Sequence, residues 1–520
     1  MLKPTDWEAS DMSEHPFYEK GRTSKKADPC VIVIFGATGD LTARKLVPAL
    51  FNLRNESLLP SRFAVVAFAR RDKTSEDFKK EAFDAMKRYG NQSAIDEKAL
   101  HEFTKQFYYH RANFNDDQGY KELHKFLENL DNQLGTKKNR IYYLATPPKY
   151  FPIIIEKLHQ NALLYDEEDK EKWSRVIIEK PFGTDLASAK QLQKHILNFI
   201  SESQIYRIDH WLGKETVQNL LVFRFANSIF ESVWNANHVS NVQITVAEDM
   251  GIGTRGHLFE EQGMLRDIVQ NHMMQLLSLV AMEPPINLQA SSIRDEKVKV
   301  LESIRPYDKT ECGSCVVRGQ YEAGYINGED VKAYTKEADV EPNSSMETYV
   351  ALKLFIDNWR WSGVPFYLRA GKRLPKRATE IAITFKDAPG VLFRKKEFKN
   401  EPNVLTIRIQ PNEGIGVMIN TKVPGQSQII QPVKMDFCYG SYFGNYGAEA
   451  YERLIFDAII GDSTLFARQD EVFYSWQFVT AILDSWRKHP AKLALYPAGS
   501  WGPKQADDMI AKDGFQWRLL

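Results

Sequence analysis

The stretch "VIVIFGATGDL" at residues 31–41 begins as an apolar run and ends in a turn that contains two glycines. A short apolar run before such a turn is typical of a buried strand, and a helical pattern follows it. Gly36 stands where the strand must turn, and Gly39 stands where the backbone can approach another group closely. Two interpretations stay open: a phosphate-holding turn, or a tight corner between a strand and a helix.

The turn is a candidate site for a dinucleotide. Free backbone N–H groups and the positive dipole end of the following helix suit a phosphate. The motif departs from the usual GxGxxG spacing, so it does not decide between the two interpretations by itself. Its place after the first strand of an alternating region favours the nucleotide. The candidate cofactor-binding residues of the turn are Gly36, Ala37, Thr38, Gly39, Asp40 and Leu41.

The next strand, within "FAVVAFARRDK" at residues 63–73, ends in two arginines. An NAD-binding fold usually has an acidic residue here for the ribose hydroxyl, whereas arginine pairs with the 2′-phosphate of NADP. Arg70 is the preferred candidate and Arg71 the second, so the predicted cofactor is NADP. The alternative, that both are solvated loop charges, stays open. Arg44 and Lys45 lie near the expected phosphates or on ordinary helix surface.

The pattern of the chain predicts two domains after a polar tail. From about residue 30 to 200, strand-like runs alternate with helical patterns, which favours a Rossmann-like, doubly wound α/β domain with a parallel sheet. Within it, residues 75–134 are predicted as long charged amphipathic helices. Later segments such as "EIAITFKD" alternate with period two, which predicts an α+β domain with a large, mainly antiparallel sheet. The predicted ranges are 1–28 for the tail, 29–205 for the dinucleotide-binding domain and 206–520 for the second domain.

Composition and charge exclude several functional classes. Lysine plus arginine (68) equals aspartate plus glutamate (68), and a neutral chain does not suit non-specific nucleic-acid binding. No run approaches the ~18 apolar residues of a membrane span, and the first residues lack the apolar region of a secretory signal. Four cysteines fit a reducing compartment, so a cytoplasmic location is expected. Cys312 and Cys315 form a lone CxxC, for which two free thiols are the favoured interpretation, and no metal is predicted.

A second motif, "RIDHWLGKE" at residues 207–215, brings Asp209, His210 and Lys214 into a few positions at the change of domain. Histidine and lysine supply the positive donors that a phosphate-bearing substrate needs, and the aspartate could orient a histidine from elsewhere. Because these residue types are common in loops, a plain surface loop remains the alternative on composition alone.

Taken together, "GATGDLTARKL", "EKPFG", "RIDHWLGKE", "GMLRDIVQNH", "VPFYLRAGKRL" and "IRIQPNE" closely resemble the motifs of the glucose-6-phosphate dehydrogenase family, in the same order from about residue 30 to 515. The resemblance implies NADP-linked oxidation of glucose 6-phosphate at C1 to 6-phosphogluconolactone, the first oxidative step of the pentose phosphate pathway. It also implies a homodimer or homotetramer, for which the second-domain sheet is a plausible surface.

The resemblance implies a role for individual residues. The general base falls on His272 and the carboxylate that orients it on Asp209. Lys180 falls near both the sugar and the nicotinamide, although a lysine before proline is also a common way to leave a sheet. The other residues matched to substrate positions are His210, Lys214, Glu248, Asp267, Lys372, Arg377 and Gln410.

His272 lies in the apolar stretch "LRDIVQNHMMQLLSLV", which by itself is more typical of a buried core histidine than of a base. With the resemblance, the base is the favoured interpretation, and a neutral imidazole near its ordinary pKa of ~6.5 suits that role. At about 3.6 residues per turn, Asp267 should lie on a partly different helix face from His272.

The chain departs from the family pattern at two places. Trp211 stands where the motif usually has tyrosine, so an indole N–H would replace a phenol as donor to the substrate phosphate. Some family members carry a second, structural NADP, and Arg369 and Arg408 match two of its positions. Other donors of that site are missing, because the matching positions hold Ala378, Gly416 and Met418, with Trp501 near an expected arginine. No structural NADP is therefore predicted.

Overall fold

The structure is a computed structural model, and it describes residues 27–90, 96–307, 311–389, 401–425, 429–443, 449–489 and 493–520. The polar tail predicted at 1–28 lies outside the described residues except for its last two positions. In the described part of the chain, no helix is both long and apolar enough to cross a bilayer.

Strands alternate with helices in the first part of the chain, and the second part also contains both helices and strands. The strands are β1 Cys30–Phe35, β2 Phe63–Ala69, β3 Phe107–Arg111, β4 Arg140–Leu144, β5 Ser174–Ile178, β6 Ile205–Ile208, β7 Val239–Ala247, β8 Val316–Glu322, β9 Gly324–Ile326, β10 Glu329–Val331, β11 Tyr349–Leu354, β12 Phe366–Gly371, β13 Ala378–Phe385, β14 Val404–Gln410, β15 Gly414–Lys422, β16 Ile430–Cys438, β17 Phe466–Ala467 and β18 Ala494–Pro497.

The α-helices are α1 Val47–Asn55, α2 Ser75–Tyr89, α3 Glu97–Thr104, α4 Asp117–Leu134, α5 Phe151–Gln160, α6 Leu186–Ile196, α7 Glu215–Phe225, α8 Ser228–Glu231, α9 Gly256–Met264, α10 Met274–Ala281, α11 Ala290–Glu302, α12 Glu311–Cys315, α13 Tyr439–Phe443, α14 Ala450–Ile460, α15 Gln469–Lys488 and α16 Lys504–Ala511. Two segments have π-helical hydrogen bonding: Thr42–Leu46, before α1, and Leu265–Met273, between α9 and α10.

The first sheet confirms the predicted dinucleotide-binding fold. Among the described residues its order is β17-β6-β5-β4-β1-β2-β3, and every neighbouring pair is parallel except β17 with β6. The order of β1 to β6 is that of the doubly wound fold that binds dinucleotides where the strand order reverses, here between β1 and β4. Strands β1, β2 and β4 are buried along their whole length, as expected for central strands covered by helices on both faces.

The second sheet is large and mainly antiparallel, also as predicted. Its order is β16-β15-β14-β13-β7-β12-β11-β8-β18 in the part of the chain that the structure describes. The pairs β7–β12 and β8–β18 are parallel, and the other neighbours are antiparallel. The parallel pair β7–β12 matters for function because the ends of these two strands lie side by side.

Two details of the first domain differ from the sequence-based expectations. Residues 75–134 are not only helices, because β3 lies between α3 and α4 and pairs with β2. This strand is at the sheet edge and only partly buried, so its aromatic run carries no clear strand pattern. The predicted boundary at 205/206 falls inside β6, and β17 adds to the same sheet from residues 466–467.

Candidate active site

The glycine turn after β1 is shaped for close approach of a ligand. Gly36 has φ +80°, and a Cβ built there would lie 2.4 Å from the carbonyl oxygen of Ala145, at the end of β4. The backbone N–H of Gly39 donates to the carbonyl of Gly36 at 2.9 Å, which closes the turn. Nearby, the buried hydroxyls of Thr42 and Thr146 have no hydrogen-bond partner among the described residues. The turn and its position at the switch point fit a dinucleotide.

The residues predicted to contact phosphates near this turn differ in whether they already form an ion pair. Arg70 and Arg71 follow β2 and are exposed, and neither guanidinium has an ion-pair partner in the described ranges. Arg44 pairs with Asp40 at 2.7 Å, and Lys45 pairs with Glu449 at 2.7 Å. The two arginines after β2 are therefore without ion-pair partners among the described residues, whereas Arg44 and Lys45 already have partners.

Asp209 and His272 form a buried hydrogen-bonded pair. His272 Nδ1 lies 2.5 Å from Asp209 Oδ1, and the backbone N–H of Trp211 donates to the same oxygen at 3.0 Å. Burial would raise the pKa of the Asp209 carboxyl, but the neighbouring His272, with His210 and Lys180, holds it well below its usual value. Burial lowers the pKa of His272, which Asp209 opposes and Lys180 reinforces. An ionised carboxylate therefore holds a neutral imidazole with its proton on Nδ1.

Lys180 contacts the other edge of the imidazole. Its Nζ lies 3.0 Å from His272 Nε2, 2.8 Å from the backbone oxygen of Asp267 and 3.1 Å from Asp267 Oδ1. An ammonium can only donate, so Nε2 carries the lone pair. Burial would raise the pKa of Asp267, but Lys180 and then Lys372 lower it to about 2. The base, the lysine and this carboxylate thus form one connected group.

The expectation that Asp267 and His272 lie on partly different helix faces assumed the α-helical repeat, which this segment does not have. Both residues belong to the π-helical segment Leu265–Met273, in which the backbone bonds run from i to i+5. Residues five positions apart then lie closer in angle about the helix axis than they do in an α-helix. The segment follows Gly263, whose φ of +62° and ψ of 178° break the helix that precedes it. This local winding aims Asp267 and His272 at the same lysine.

The residues predicted for the substrate phosphate cluster beside the imidazole. His210 meets His272 edge-on, with ring centroids 4.8 Å apart, and burial together with His272 holds the pKa of His210 well below its usual value. Lys214 Nζ donates to Gln410 Oε1 at the end of β14. Burial lowers the pKa of Lys214 to about 8, and the charge of Arg377 acts in the same direction. Arg377 is itself exposed.

Glu248 and Lys372 meet because their strands run side by side. Glu248 follows β7 and Lys372 follows β12, and these two strands are parallel neighbours. Lys372 Nζ donates to Glu248 Oε2 at 2.5 Å. The charge of Lys372 also lowers the pKa of Asp267. Glu248, Lys372 and Asp267 thus extend the group of polar side chains away from the base. The structure thus brings the predicted catalytic and sugar-side residues into one region.

Sequence reasoning missed two residues of this region. Tyr451, near the start of α14, stacks nearly parallel to His210 with ring centroids 6.2 Å apart. Glu179 is partly buried and accepts a hydrogen bond from Tyr143 at 2.5 Å. Burial raises its pKa to about 7, while Tyr143 and Lys180 act in the opposite direction. Tyr451 carries no motif and lies far along the chain, so nothing in the sequence indicated it. Glu179 is part of "EKPFG", and its place before Lys180 was the available signal.

Other predicted positions have partners within the chain. Trp211 packs its indole against the ring of His272, and its role as a phosphate donor stays a prediction. Arg369 lies 5.1 Å from the ring of Trp501 and 4.7 Å from that of Trp517, and it donates to the backbone of Arg518. Arg408 pairs with Asp436 at 2.6 Å. The absence of a structural NADP stays a prediction.

Asp209, His210 and His272 also have ligand-type atoms within 4.8 Å of one another, a group that could hold a metal ion. The ammonium of Lys180, 3.0 Å from His272 Nε2, opposes a cation at this point. The expectation that the protein needs no metal therefore stays a prediction.

The doubly wound sheet, its glycine turn and the polar group at its carboxyl edge define a dinucleotide-binding oxidoreductase. Two family models match: "glucose-6-phosphate dehydrogenase, NAD binding domain" over residues 33–219 and the C-terminal domain of the same family over residues 221–518. The chain therefore belongs to the glucose-6-phosphate dehydrogenase family.

Individual relatives agree with the family models. A glucose-6-phosphate 1-dehydrogenase of Chlamydia pneumoniae is 52% identical over 497 residues, 95% of this chain and 96% of the relative. That of Bacillus subtilis is 45% identical and covers 94% of this chain and 98% of the relative. A solved glucose-6-phosphate dehydrogenase in complex with its substrate glucose 6-phosphate is 36% identical, with a TM-score of 0.87, covering 95% of this chain and 99% of the other.

Proposed function

We propose that this protein oxidises glucose 6-phosphate at C1 to 6-phosphoglucono-1,5-lactone, with NADP as the hydride acceptor. The observation that carries the proposal is the Asp209–His272 pair, with a 2.5 Å hydrogen bond at Nδ1 and the lone pair on Nε2. This is the arrangement that general-base catalysis needs, because the carboxylate fixes the tautomer and stabilises the imidazolium that forms.

The proton of the C1 hydroxyl goes to His272 Nε2. Its O–H bonding electrons remain on the oxygen and form the C1=O bond as hydride leaves C1. In the structure Lys180 donates to the lone pair of Nε2, and the substrate hydroxyl would replace this contact. Lys180 then donates to the substrate oxygen, which stabilises its developing negative charge. Asp267 keeps Lys180 in reach through two contacts, at 2.8 and 3.1 Å.

The cationic and polar residues beside the base select the substrate. Lys214, with His210 and Arg377 next to it, suits a phosphate, and Gln410 orients the ammonium of Lys214. Glu248 and Asp267 are carboxylates that can accept hydrogen bonds from sugar hydroxyls, and Lys372 lies between them. A hexose with a phosphate at one end and an oxidisable carbon at the other fits this division of the site.

The glycine turn and the arginines after β2 would hold the cofactor. Residues 36–41 would bind the diphosphate, and Lys180, which follows β5 of the same sheet, contacts the base. Arg70, with Arg71 next to it, would pair with a 2′-phosphate, since both are exposed cations without an ion-pair partner in the described ranges. When bound, NADP supplies the carbon that accepts the hydride.

The assembly and the location are part of the same proposal. A homodimer or homotetramer is supported by an apolar face near one edge of the second sheet, where Val433 and Met435 are exposed. All four cysteines are free thiols, which is compatible with a reducing cytoplasm.

The test is the increase in absorbance at 340 nm when the protein is mixed with NADP and glucose 6-phosphate. His272→Asn should lower kcat by a factor of about 10²–10⁴ or more, while substrate binding persists, because general-base help is lost. The control is His257→Asn, whose side chain is 89% exposed and outside the site. Absence of turnover in the unmodified protein, or full turnover in His272→Asn, would contradict the proposal. Equal catalytic efficiency with NAD would contradict the role of Arg70.

A further inference from the structure

Trp211 contacts both members of the Asp209–His272 pair. Its backbone N–H donates to Asp209 Oδ1 at 3.0 Å. Its indole lies parallel to the imidazole of His272, with an interplanar angle of 5° and ring centroids 4.7 Å apart. The side chain is 5% exposed, and its ring lies 5.3 Å from Lys214 Nζ. A single residue therefore touches the carboxylate, the base and the lysine of the phosphate site.

We propose that Trp211 is a positioning residue for the reaction: its indole fixes the plane of the His272 ring and stabilises the imidazolium that forms when His272 takes the substrate proton. This inference rests on the proposed function, in which His272 is the base. It assigns position 211 to the base, whereas the sequence had suggested a donor to the substrate phosphate.

Two other neighbours of the imidazole act on its ring nitrogens, and a third ring is perpendicular to it. Asp209 holds Nδ1, Lys180 contacts Nε2, and His210 meets the ring at right angles. Asp267 acts from beyond Lys180 and favours the protonated ring. The hydrogen bonds at the two nitrogens hold the ring within its plane, and a parallel indole further opposes tilting out of that plane, because tilting the imidazole would break the contact between the two faces.

The indole face also supplies an electrostatic contribution. An aromatic face carries negative charge density and attracts a cation, most strongly for tryptophan, and the effect grows when water is excluded. Burial and Lys180 disfavour the protonated form of His272, so an attractive surface over the ring partly offsets them at the moment of proton transfer. A phenol or phenyl ring supplies the same kind of contact with a smaller face, and an aliphatic side chain supplies none.

The test compares Trp211→Tyr, Trp211→Phe and Trp211→Leu, all of which keep the backbone N–H that holds Asp209. We expect Trp211→Leu to lower kcat about tenfold, with the acidic limb of the kcat–pH profile moved to lower pH, because the protonated base loses its partner. Trp211→Tyr and Trp211→Phe should retain most of the turnover. Trp486→Leu removes a buried indole elsewhere and serves as the control, with a lower denaturation midpoint and unchanged kcat.

Three results would overturn the inference. A rise in KM for glucose 6-phosphate with kcat and the acidic limb unchanged would make Trp211 a phosphate ligand. A lower denaturation midpoint with unchanged kcat would make it a packing residue only. An acidic limb of the kcat–pH profile that is unchanged or moves to higher pH in Trp211→Leu would contradict the claim that the indole stabilises the imidazolium.

A second measurement does not depend on turnover. An imidazolium in contact with an indole quenches its fluorescence more than a neutral imidazole does. The fluorescence difference between the unmodified protein and Trp211→Phe should therefore titrate with His272, and this titration should disappear when both proteins carry His272→Asn; persistence of the titration would overturn the contact. If His272→Asn keeps its turnover, the proposed function fails. If His272→Asn is inactive and Trp211→Leu is normal, only this inference fails.

Discussion

Lys214 combines a positive charge with a partly buried position, and this makes its charge sensitive to pH. Burial lowers the pKa of the ammonium from its ordinary 10.5 to about 8. The lysine is therefore cationic below about pH 8 and loses its charge as the pH rises through that value. Substrate binding through Lys214 should weaken in the same interval, because a neutral amine attracts a phosphate far less than an ammonium does.

We accordingly expect kcat/KM for glucose 6-phosphate to fall above about pH 8, at saturating NADP, with a smaller fall in kcat because bound phosphate favours the ammonium. Lys214→Arg keeps the charge at every accessible pH, so this limb should move to higher pH in that variant. The measurement is the pH profile of kcat/KM for both proteins. If kcat/KM falls over the same pH interval in both proteins, the fall belongs to a group other than Lys214.

The π-helical segment Leu265–Met273 is the element that brings Asp267 and His272 to one lysine, and Gly263 precedes it. With φ +62° and ψ 178°, Gly263 has a conformation that is essentially restricted to glycine. A Cβ at this position would lie 2.4 Å from Glu347 Oε1, and Glu347 also accepts from the backbone N–H of Leu265. A side chain here would therefore disturb the start of the segment as well as its own backbone.

Gly263→Ala should destabilise the protein by about 3 kcal/mol, as the sum of backbone strain and overpacking, and should lower kcat because Asp267 and His272 move. The matched control is Gly253→Ala, at φ +57° with no atom within 4 Å of the built Cβ, which should cost only about 1 kcal/mol. Denaturation midpoints and kcat are measured for both variants. Equal losses would show that the contact with Glu347 has no role.

For individual strands and helices, the limits of prediction from the sequence have physical causes. Strands such as β1 and β2 were readable because they are buried on both faces and appear as continuous apolar runs. The edge strand β3 was missed because partial burial leaves it no such pattern. The π-helical winding was missed because hydrophobic periodicity was interpreted with the α-helical repeat, and residues 265–273 carry no local signal that separates the two.

Across the whole molecule, the site joins segments that are distant in sequence. The contacts between these segments could not have been inferred from the sequence alone. Asp209 follows β6, and His272 belongs to the π-helical segment, so their 2.5 Å contact depends on the packing of the two domains. The resemblance to a family supplied their roles, whereas Tyr451 and the stacking of Trp211 on His272 emerged only from the structure. Apolar runs and the alternation of apolar with polar residues predicted the two sheets, because both patterns depend on which residues of a strand are buried.

The edge of the second sheet at β15 and β16 presents one apolar and one polar face, which makes it the expected interface of the proposed homo-oligomer. Val433 pairs with Ile419 and Met435 with Val417, so these side chains share a face. Val433→Lys with Met435→Lys should shift the protein toward monomer and raise the dissociation constant at least about 100-fold, because charges would enter an apolar interface. Leu495→Lys, an exposed site on β18 at the opposite edge, is the control. Light scattering measures the mass; an unchanged mass in the double variant would exclude this face as the interface.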